Sequence, residues 1–467
     1  MTVGLHLIAW AALVAILVLA YRWMRKRSRV FAAWFACGLI GRALLGGALF
    51  LISFWQLPIR PSLQLGGGFW ALALDGRTYF DVAAHAAATT IRGITDDFPS
   101  PFYLRSLAIW LRIFGTVPPS AILFNLTCYA CTATLVLVAA QRDDRTTDSA
   151  AATLTLVGLT ICPALILFGT QPLKDPLSVA LVVAVVAGFR LWSADAAVAV
   201  VSSGKLAGLV LMAIGVYAMA GIRAYFSGFM IAGIAAATAW IVAAAAQLSA
   251  RLRTLALNAV LLAVLWMMFA AGGGPYYRDY MRFARNTVFG PDSVIGALDT
   301  ARTGFIATGG ATSFAPIPPP PEAVEGFERR SRGPGLAARL RATVIGCMVI
   351  MVPVSILRAL SIVSFSGGRG LLLITDFDTI VIDLTVLACI LWTMKSRRSW
   401  RSLDPALLFA VVLAATTCLA LAYVVTNFGT LFRLRLMAAA PLWAIPVLRL
   451  RRGNAISNVA SAPVHIP

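Results

Sequence analysis

Four short segments of this chain place charged side chains where apolar surroundings give them little packing reason to be. The first is Leu74-Asp75-Gly76-Arg77-Thr78-Tyr79-Phe80-Asp81, an acid beside a glycine just after an apolar stretch. A carboxylate at a membrane surface can take the proton of a sugar hydroxyl when its neighbours raise its proton affinity; Asp75 can equally cap the helix that follows. The second is Lys174-Asp175, flanked by Pro172 and Pro176. Charges close to a membrane are functional candidates by default, although these two can also pair with one another and cap the span from 177. The third is Arg223 with Tyr225, and the fourth is Thr426-Asn-Phe-Gly-Thr-Leu-Phe-Arg-Leu-Arg435, which carries Arg433 and Arg435. Guanidinium groups bind phosphate bidentately, and a lipid phosphate or diphosphate is the anion available at that depth. Snorkelling toward headgroups is the alternative for any one arginine taken alone. Asp96 and Asp97, before Phe98-Pro-Ser-Pro-Phe-Tyr103, read as a solvated turn more readily than as metal ligands.

These residues need elements to hold them, and the chain supplies long apolar runs. Of 467 residues, 60% are hydrophobic and only 12% charged, with a mean hydropathy of +0.84, far from the balance of water-soluble domains. Each crossing of a bilayer takes about 20 mostly apolar residues, and such runs recur from Leu7 to Leu448. The expectation is an all-α polytopic membrane protein: about eleven transmembrane helices, one re-entrant or surface segment, and external amphipathic helices. A single transmembrane domain over 1–452 precedes a disordered cytoplasmic tail at 453–467.

Charge sets the sidedness. Arg22, Arg25, Lys26, Arg27 and Arg29 follow the first apolar run and make its connection cytoplasmic; lacking a small-residue cleavage site, that run reads as an anchor. Long hydrophilic loops at 55–118 and 273–338 then fall outside. The first contains amphipathic stretches at 79–91 and 103–114, suited to the membrane surface, and the second a stiff proline run at 316–321. Further spans are expected near 31–54, 119–140, 149–169, 177–194, 206–222, 227–248, 254–272, 371–393, 404–425 and 431–448. The stretch 340–366 is interrupted by Pro353, Arg358 and Gly367-Gly-Arg-Gly370, and a full crossing there would put Lys395, Arg397, Arg398 and Arg401 outside. It is therefore expected to be re-entrant or surface-lying.

The same features exclude other classes. A formal charge of +20 on a soluble protein suggests nucleic acid, but here the basic residues flank apolar runs and no nucleic-acid partner is expected. The seven cysteines lie in apolar stretches, and the three histidines are too scattered to form a metal site. No internal repeat of the transporter kind is visible.

The charged segments, taken in order, resemble those of bacterial GT-C type glycosyltransferases, polytopic enzymes that take a sugar from a polyprenyl-phosphate donor on the external face. Asp75-Gly-Arg-Thr-Tyr79 with Ala83 and Ala84 is similar to that family's first-loop acidic motif. Pro101-Phe-Tyr103, Phe114-Gly115 and Asn125 resemble the region that follows. Leu173-Lys-Asp-Pro176 resembles the second-loop charged motif, and Asn427-Phe-Gly-Thr-Leu-Phe-Arg433 with Pro441 the final-span signature. The resemblance implies Asp75 as the base that deprotonates the acceptor. It implies Lys174, Arg223 and Arg433 as the holders of the leaving phosphate, joined by Tyr79 and Arg435 in substrate binding. Asp175 would be a second acid, orienting substrate or a divalent cation. The implied partners are a polyprenyl-phosphate-linked sugar donor, a glycan or lipid acceptor and the lipid bilayer of a bacterial inner membrane. This chain departs from the pattern in an additional span before the acidic loop and in Gly76, which stands where an acid would pair with Asp75.

Two other readings stay open. The extra span, the arginine-bearing loop and the Lys-Asp-Pro motif also resemble O-antigen and exopolysaccharide polymerases, which join diphosphate-linked repeat units. A lipid-linked glycan flippase or other transporter would instead need polar groups through the span interiors, for which Asp376, Asp378 and Asp383 are the candidates, Asp383 being the one expected to be buried. A scaffold subunit without chemistry would have little use for acids and arginines in its long loops.

Overall fold

The computed structural model describes residues 3–96, 98–141, 148–193, 202–244, 247–285, 293–308, 314–316, 335–365, 369–395 and 404–448. The tail expected from 453, Asp97 and the proline run beyond Pro316 lie outside them. Two apolar helices open the chain, α1 (Val3–Arg27) and α2 (Arg29–Phe54), divided at Ser28, whose hydroxyl accepts from the amide of Phe31 and so caps α2. The first loop then forms a small hairpin, β1 (Gln64–Gly66) with β2 (Phe69–Trp70), and two helices, α3 (Leu74–Ala88) and α4 (Pro101–Phe114). In α4 the buried residues Tyr103, Leu104, Leu107, Ala108 and Leu111 recur at helical spacing while Ile109 and Ile113 stay exposed, as an amphipathic surface helix requires.

The central bundle follows: α5 (Pro118–Ala139), α6 (Ser149–Ile161), α7 (Pro163–Gly169), α8 (Asp175–Ser193), α9 (Ser203–Ala244) and α10 (Leu248–Arg285). Hydrophobic burial does not drive helices together in lipid, so close approach must. Helices α8 and α9 meet at Gly188 and Gly208, where a Cβ on either would fall 2.7 or 2.5 Å from the other's carbonyl oxygen. The second loop contributes α11 (Val294–Thr308) and β3 (Phe314–Pro316), and the chain ends with α12 (Leu336–Met351), α13 (Val354–Ala359), β4 (Val363–Phe365), α14 (Arg369–Lys395), α15 (Pro405–Val424), α16 (Phe428–Trp443) and α17 (Ile445–Leu448).

Eight described helices are long and apolar enough to span a membrane, or nine if α6 and α7, bent by 61° at Cys162, count as one crossing. About eleven were expected, and the difference has two sources. The spans expected at 206–222 and 227–248 form the single 42-residue α9, broken only at Arg223 (φ −149°, ψ 80°). At 1.5 Å per residue it is about 63 Å long, twice a hydrocarbon core of about 30 Å, so its halves must cross separately. The span expected at 371–393 is α14, which carries Asp376, Asp378 and Asp383 and is not among the eight.

At 340–366 the chain turns back. Helix α12 stops before Pro353, and β4 then pairs antiparallel with β3, Phe314 facing Phe365 and Pro316 facing Val363. Because β3 belongs to the second loop, a chain that leaves it at α12 and rejoins it at β4 enters and exits on one face, the re-entrant path that the charge rule anticipates. Ile345, Val349, Val354, Leu357 and Val363 pack there against Leu421, Val425 and Leu431.

The break between α6 and α7 leaves polar backbone exposed inside the bundle, where it must find partners. Pro163 has no amide to satisfy Leu159, and the carbonyls of Leu159 and Thr160 accept from Arg42 Nη2 at 2.8 and 3.2 Å. On the other side of the break the amide of Ala164 donates to Asp378 at 2.8 Å, and Asp378 is paired with Arg435. A buried cation thus sits on the carbonyl end and a buried carboxylate on the amide end, each the sign that the helix dipole favours.

Candidate functional site

Asp175 opens α8 with its side chain fully buried. Such a carboxylate is tolerable only when both oxygens are satisfied. Arg223 Nη2 donates to Oδ1 at 2.6 Å, and Arg433 Nε donates to Oδ2 at 2.9 Å. Arg223 reaches it because α9 breaks at that residue; Arg433 reaches it from the first turns of α16, which Asn427 starts by accepting from the amides of Gly429 and Thr430. The guanidinium of Arg433 then continues outward, donating from Nη1 to Asp75 Oδ2 at 2.8 Å. The Asp75 side chain, at the first turn of α3, is 52% exposed. Asp75, Arg433, Asp175 and Arg223 therefore form one line of alternating charges from solvent to interior, drawn from the first loop, α16, α8 and α9.

Lys174 lies beside this line in the turn between α7 and α8. Its ammonium donates to Ser100 Oγ at 2.5 Å and stands 5.6 Å from the centre of the Tyr79 ring. Desolvation first, and then the like charge of Arg223, bring the Lys174 ammonium down to about 7 against the opposing pull of Asp175. Burial, reinforced by the negative charge of Asp75, pushes the Tyr79 hydroxyl up to about 12, so it is a neutral ring and hydrogen-bond donor at ordinary pH. Ser100 in turn donates to the carbonyl of Ile222 at 3.0 Å, beside the α9 break, and holds a left-handed backbone (φ 64°) rare for serine.

Asp75, Ser100, Lys174, Arg223, Thr430 and Arg433 line a cavity of about 330 Å³, with Phe305 of α11 and Leu434 among its apolar walls. Among the described residues, three cations against two carboxylates leave the cavity at most a single positive charge. Arg223 Nη1 is buried and has no partner among the described residues, so one strong donor at the site is still unused.

Arg435, expected in the same group, is elsewhere. Two residues apart on a helix point to different faces, and Arg435 turns away from Arg433 to pair with Asp378 and donate to Thr379 Oγ1 at 2.6 Å. Its role is the support of the α6–α7 break. The divalent cation considered for Asp175 does not fit either: both its oxygens are occupied by guanidinium groups, and among the described residues no three His, Cys, Asp or Glu side chains gather as ligands.

Of the aspartates weighed as a transport path, Asp376 accepts from the amides of Val354 and Ser355 and so caps α13, and Asp378 caps α7. Both are buried and Asp383 is only half-buried, the reverse of the expectation. Asp96 pairs with Arg105 at 2.9 Å in an exposed turn. Sequence reasoning missed Ser100, and it missed the wall contributed by Phe305. The αL position before Pro101 gives no signal in the residue types alone.

No protein-family model matches the chain, and no curated protein matches it. Among solved structures the chain is similar to the crystal structure of ArnT from Cupriavidus metallidurans in the apo state, at a TM-score of 0.41 and 15% sequence identity over 80% of this chain and 55% of that one. The chain thus spans about half the length of the structure it matches, and a likeness of that size says nothing about chemistry.

Proposed function

We propose that the chain is a membrane glycosyltransferase that moves a sugar from a polyprenyl-phosphate-linked donor to a glycan or lipid acceptor at the external face of a bacterial inner membrane. The observation that carries the reading is the convergence of one half-exposed carboxylate and three cations from four distant segments on a single cavity at one end of an apolar bundle. Asp75 is the accessible base. Lys174, Arg223 and Arg433 face the anion that departs, and a phosphate so held needs no acid to leave, least of all in a site shielded from water. Tyr79, buried behind Lys174 with its ring toward the ammonium, backs that cation. Asp175, fully enclosed, holds the two guanidinium groups in place and does not touch substrate.

The charge balance bears on the donor. A sugar joined to a lipid through one phosphate carries one negative charge, which the single surplus positive charge of the cavity neutralises. A diphosphate-linked unit carries two, and among the described residues the cavity has no second free cation for it. The balance favours the single-sugar transferase over the repeat-unit polymerase, and the capping roles of Asp376 and Asp378 give two of the three aspartates weighed for a flippase a structural use instead.

The test is the lipid-linked and surface glycan profile of a deletion strain complemented with wild type or with Asp75→Asn. A glycan one sugar short, restored by wild type and not by Asp75→Asn, is expected. Accumulation of single, unpolymerised repeat units, cured by both, would place the chain among the polymerases, and an unchanged profile would leave no transferase.

A further inference from the structure

Arg433 has two claims on it. One edge of its guanidinium is fixed: Nε is bound to Asp175, which is fully buried and held from its other side by Arg223. The other edge, Nη1, is bound to Asp75, which is half-exposed and makes no other polar contact among the described residues. Asp75 and Arg433 both line the cavity where the donor phosphate would sit. One N–H edge cannot give its full strength to two anions at once, and the partner that can withdraw is Asp75.

We infer that Asp75 and the donor phosphate compete for Arg433, and that protonation of Asp75 hands the guanidinium over to the departing phosphate. The inference rests on the glycosyl-transfer reading and adds an order of events to it. In the step itself the acceptor oxygen forms a bond to the anomeric carbon, and its proton passes to Asp75 Oδ. The bond from the anomeric carbon to the phosphate oxygen breaks, and its electron pair stays with the phosphate. Asp75 goes from one negative charge to none as the lipid phosphate goes from one to two, so the total is unchanged. Before the step Arg433 is neutralised by Asp75; after it, Asp75 is neutral and Arg433 is free for the anion that has just gained charge. The strongest contact to phosphate is then made only as the bond breaks, the condition under which binding energy lowers a barrier instead of merely tightening substrate. Asp175, by holding Nε throughout, keeps the guanidinium from swinging after either anion.

Binding of the leaving product tests this without knowledge of the sugar or the acceptor. Full-length protein in detergent is titrated with polyprenyl phosphate, with unphosphorylated polyprenol as the reference for lipid affinity alone. Asp75→Asn removes the competing charge and mimics the protonated carboxyl, so it is expected to bind polyprenyl phosphate roughly tenfold tighter than wild type, the scale of one charge-assisted hydrogen bond. The gain should vanish in Asp75→Asn/Arg433→Gln. Because Asp75 is half-exposed, Asp75→Ala serves as a second variant with the same expected direction. Equal or weaker binding by both Asp75 variants, with wild type binding the phosphate over the alcohol, would overturn the handover and leave the donor reading standing. Failure of every form to prefer the phosphate would overturn both.

Discussion

Ser100 Oγ stands between Lys174 and the α9 break, accepting from Nζ at 2.5 Å and donating to the carbonyl of Ile222 at 3.0 Å. One hydroxyl thereby fixes the lysine to the same discontinuity that presents Arg223. Loss of that hydroxyl in Ser100→Ala should weaken donor binding through a misplaced Lys174, raising KM for the donor several-fold, about 1 kcal/mol for a partly exposed charged hydrogen bond, with a smaller change in kcat. Steady-state kinetics decide it. Ser100→Gly, which adopts the left-handed backbone without strain, should show the same KM effect; an unaltered KM in both would detach Ser100 from the lysine.

The two site aspartates should part company under substitution. Asp175→Asn leaves the buried Arg223 guanidinium without its carboxylate and takes from Arg433 one of its two, and breaking such a buried pair costs about 3–5 kcal/mol. Thermal melting in detergent should fall by many degrees. Asp75→Asn, half-exposed, should melt close to wild type while losing transfer. Equal melting losses would mean that Asp75 is as structural as Asp175.

Donor binding should depend on pH through Lys174. With its ammonium brought down to about 7 by burial and by Arg223, the free protein loses that charge as pH rises past neutrality. A bound phosphate favours the charged form, so binding takes up a proton and affinity should fall by up to tenfold per pH unit above about 7. The groups that face the ammonium are Ser100, Tyr79, Asp75, Asp175, Arg223 and Arg433. Lys174→Arg keeps its charge and should flatten the profile between pH 7 and 9; an unflattened profile would assign the dependence to another group.

Arg433 and Arg435 offer the sharpest contrast, two residues apart. Arg433→Ala should abolish transfer and also cost stability, since Asp175 loses one of its two partners. Arg435→Ala exposes no part of the cavity but strands Asp378 in the core, so it should lower melting by about 3–5 kcal/mol of stability while the protein that remains folded keeps its donor KM. A KM change in Arg435→Ala comparable to that of Arg433→Lys would bring Arg435 back into the site.

The re-entrant path has a direct readout. Single cysteines at Gln56 and Leu360, in a chain otherwise free of cysteine, should both react with a membrane-impermeant maleimide added to the outer side. Labelling of the Leu360 position only after the inner side is opened would make 340–366 a full crossing.

Much of the architecture is legible in the residue types because the bilayer allows few solutions: apolar runs of the right length must be helices, and clustered Lys and Arg set their direction. Legible too were the charges at odds with their surroundings, Asp75, Lys174, Asp175, Arg223 and Arg433. Their meeting in one cavity is tertiary and has no local signature. Arg435 shares with Arg433 a place near one end of a span, yet the 3.6-residue period sets the two on different faces. Asp175 reads as an acid for a substrate or a cation because burial is not legible in one residue; only the positions of Arg223 and Arg433 reveal that its oxygens are taken. Its charge marks Arg223 as the point where the 42-residue α9 breaks, but nothing in the composition announces that the break is one residue wide.

Asp75 and Arg433 are 358 positions apart, and that separation has a meaning during synthesis. At roughly 5–20 residues per second, the first loop is made on the order of 20–70 s before the last long helix delivers its guanidinium. Throughout that interval the buried acid of α8 has only Arg223 to hold it, and the outer acid has none. The nascent bundle thus waits, charged and incomplete, for its final segment, and a ribosome stalled near residue 425 would leave in the membrane a protein with nearly all its helices and no closed charge line.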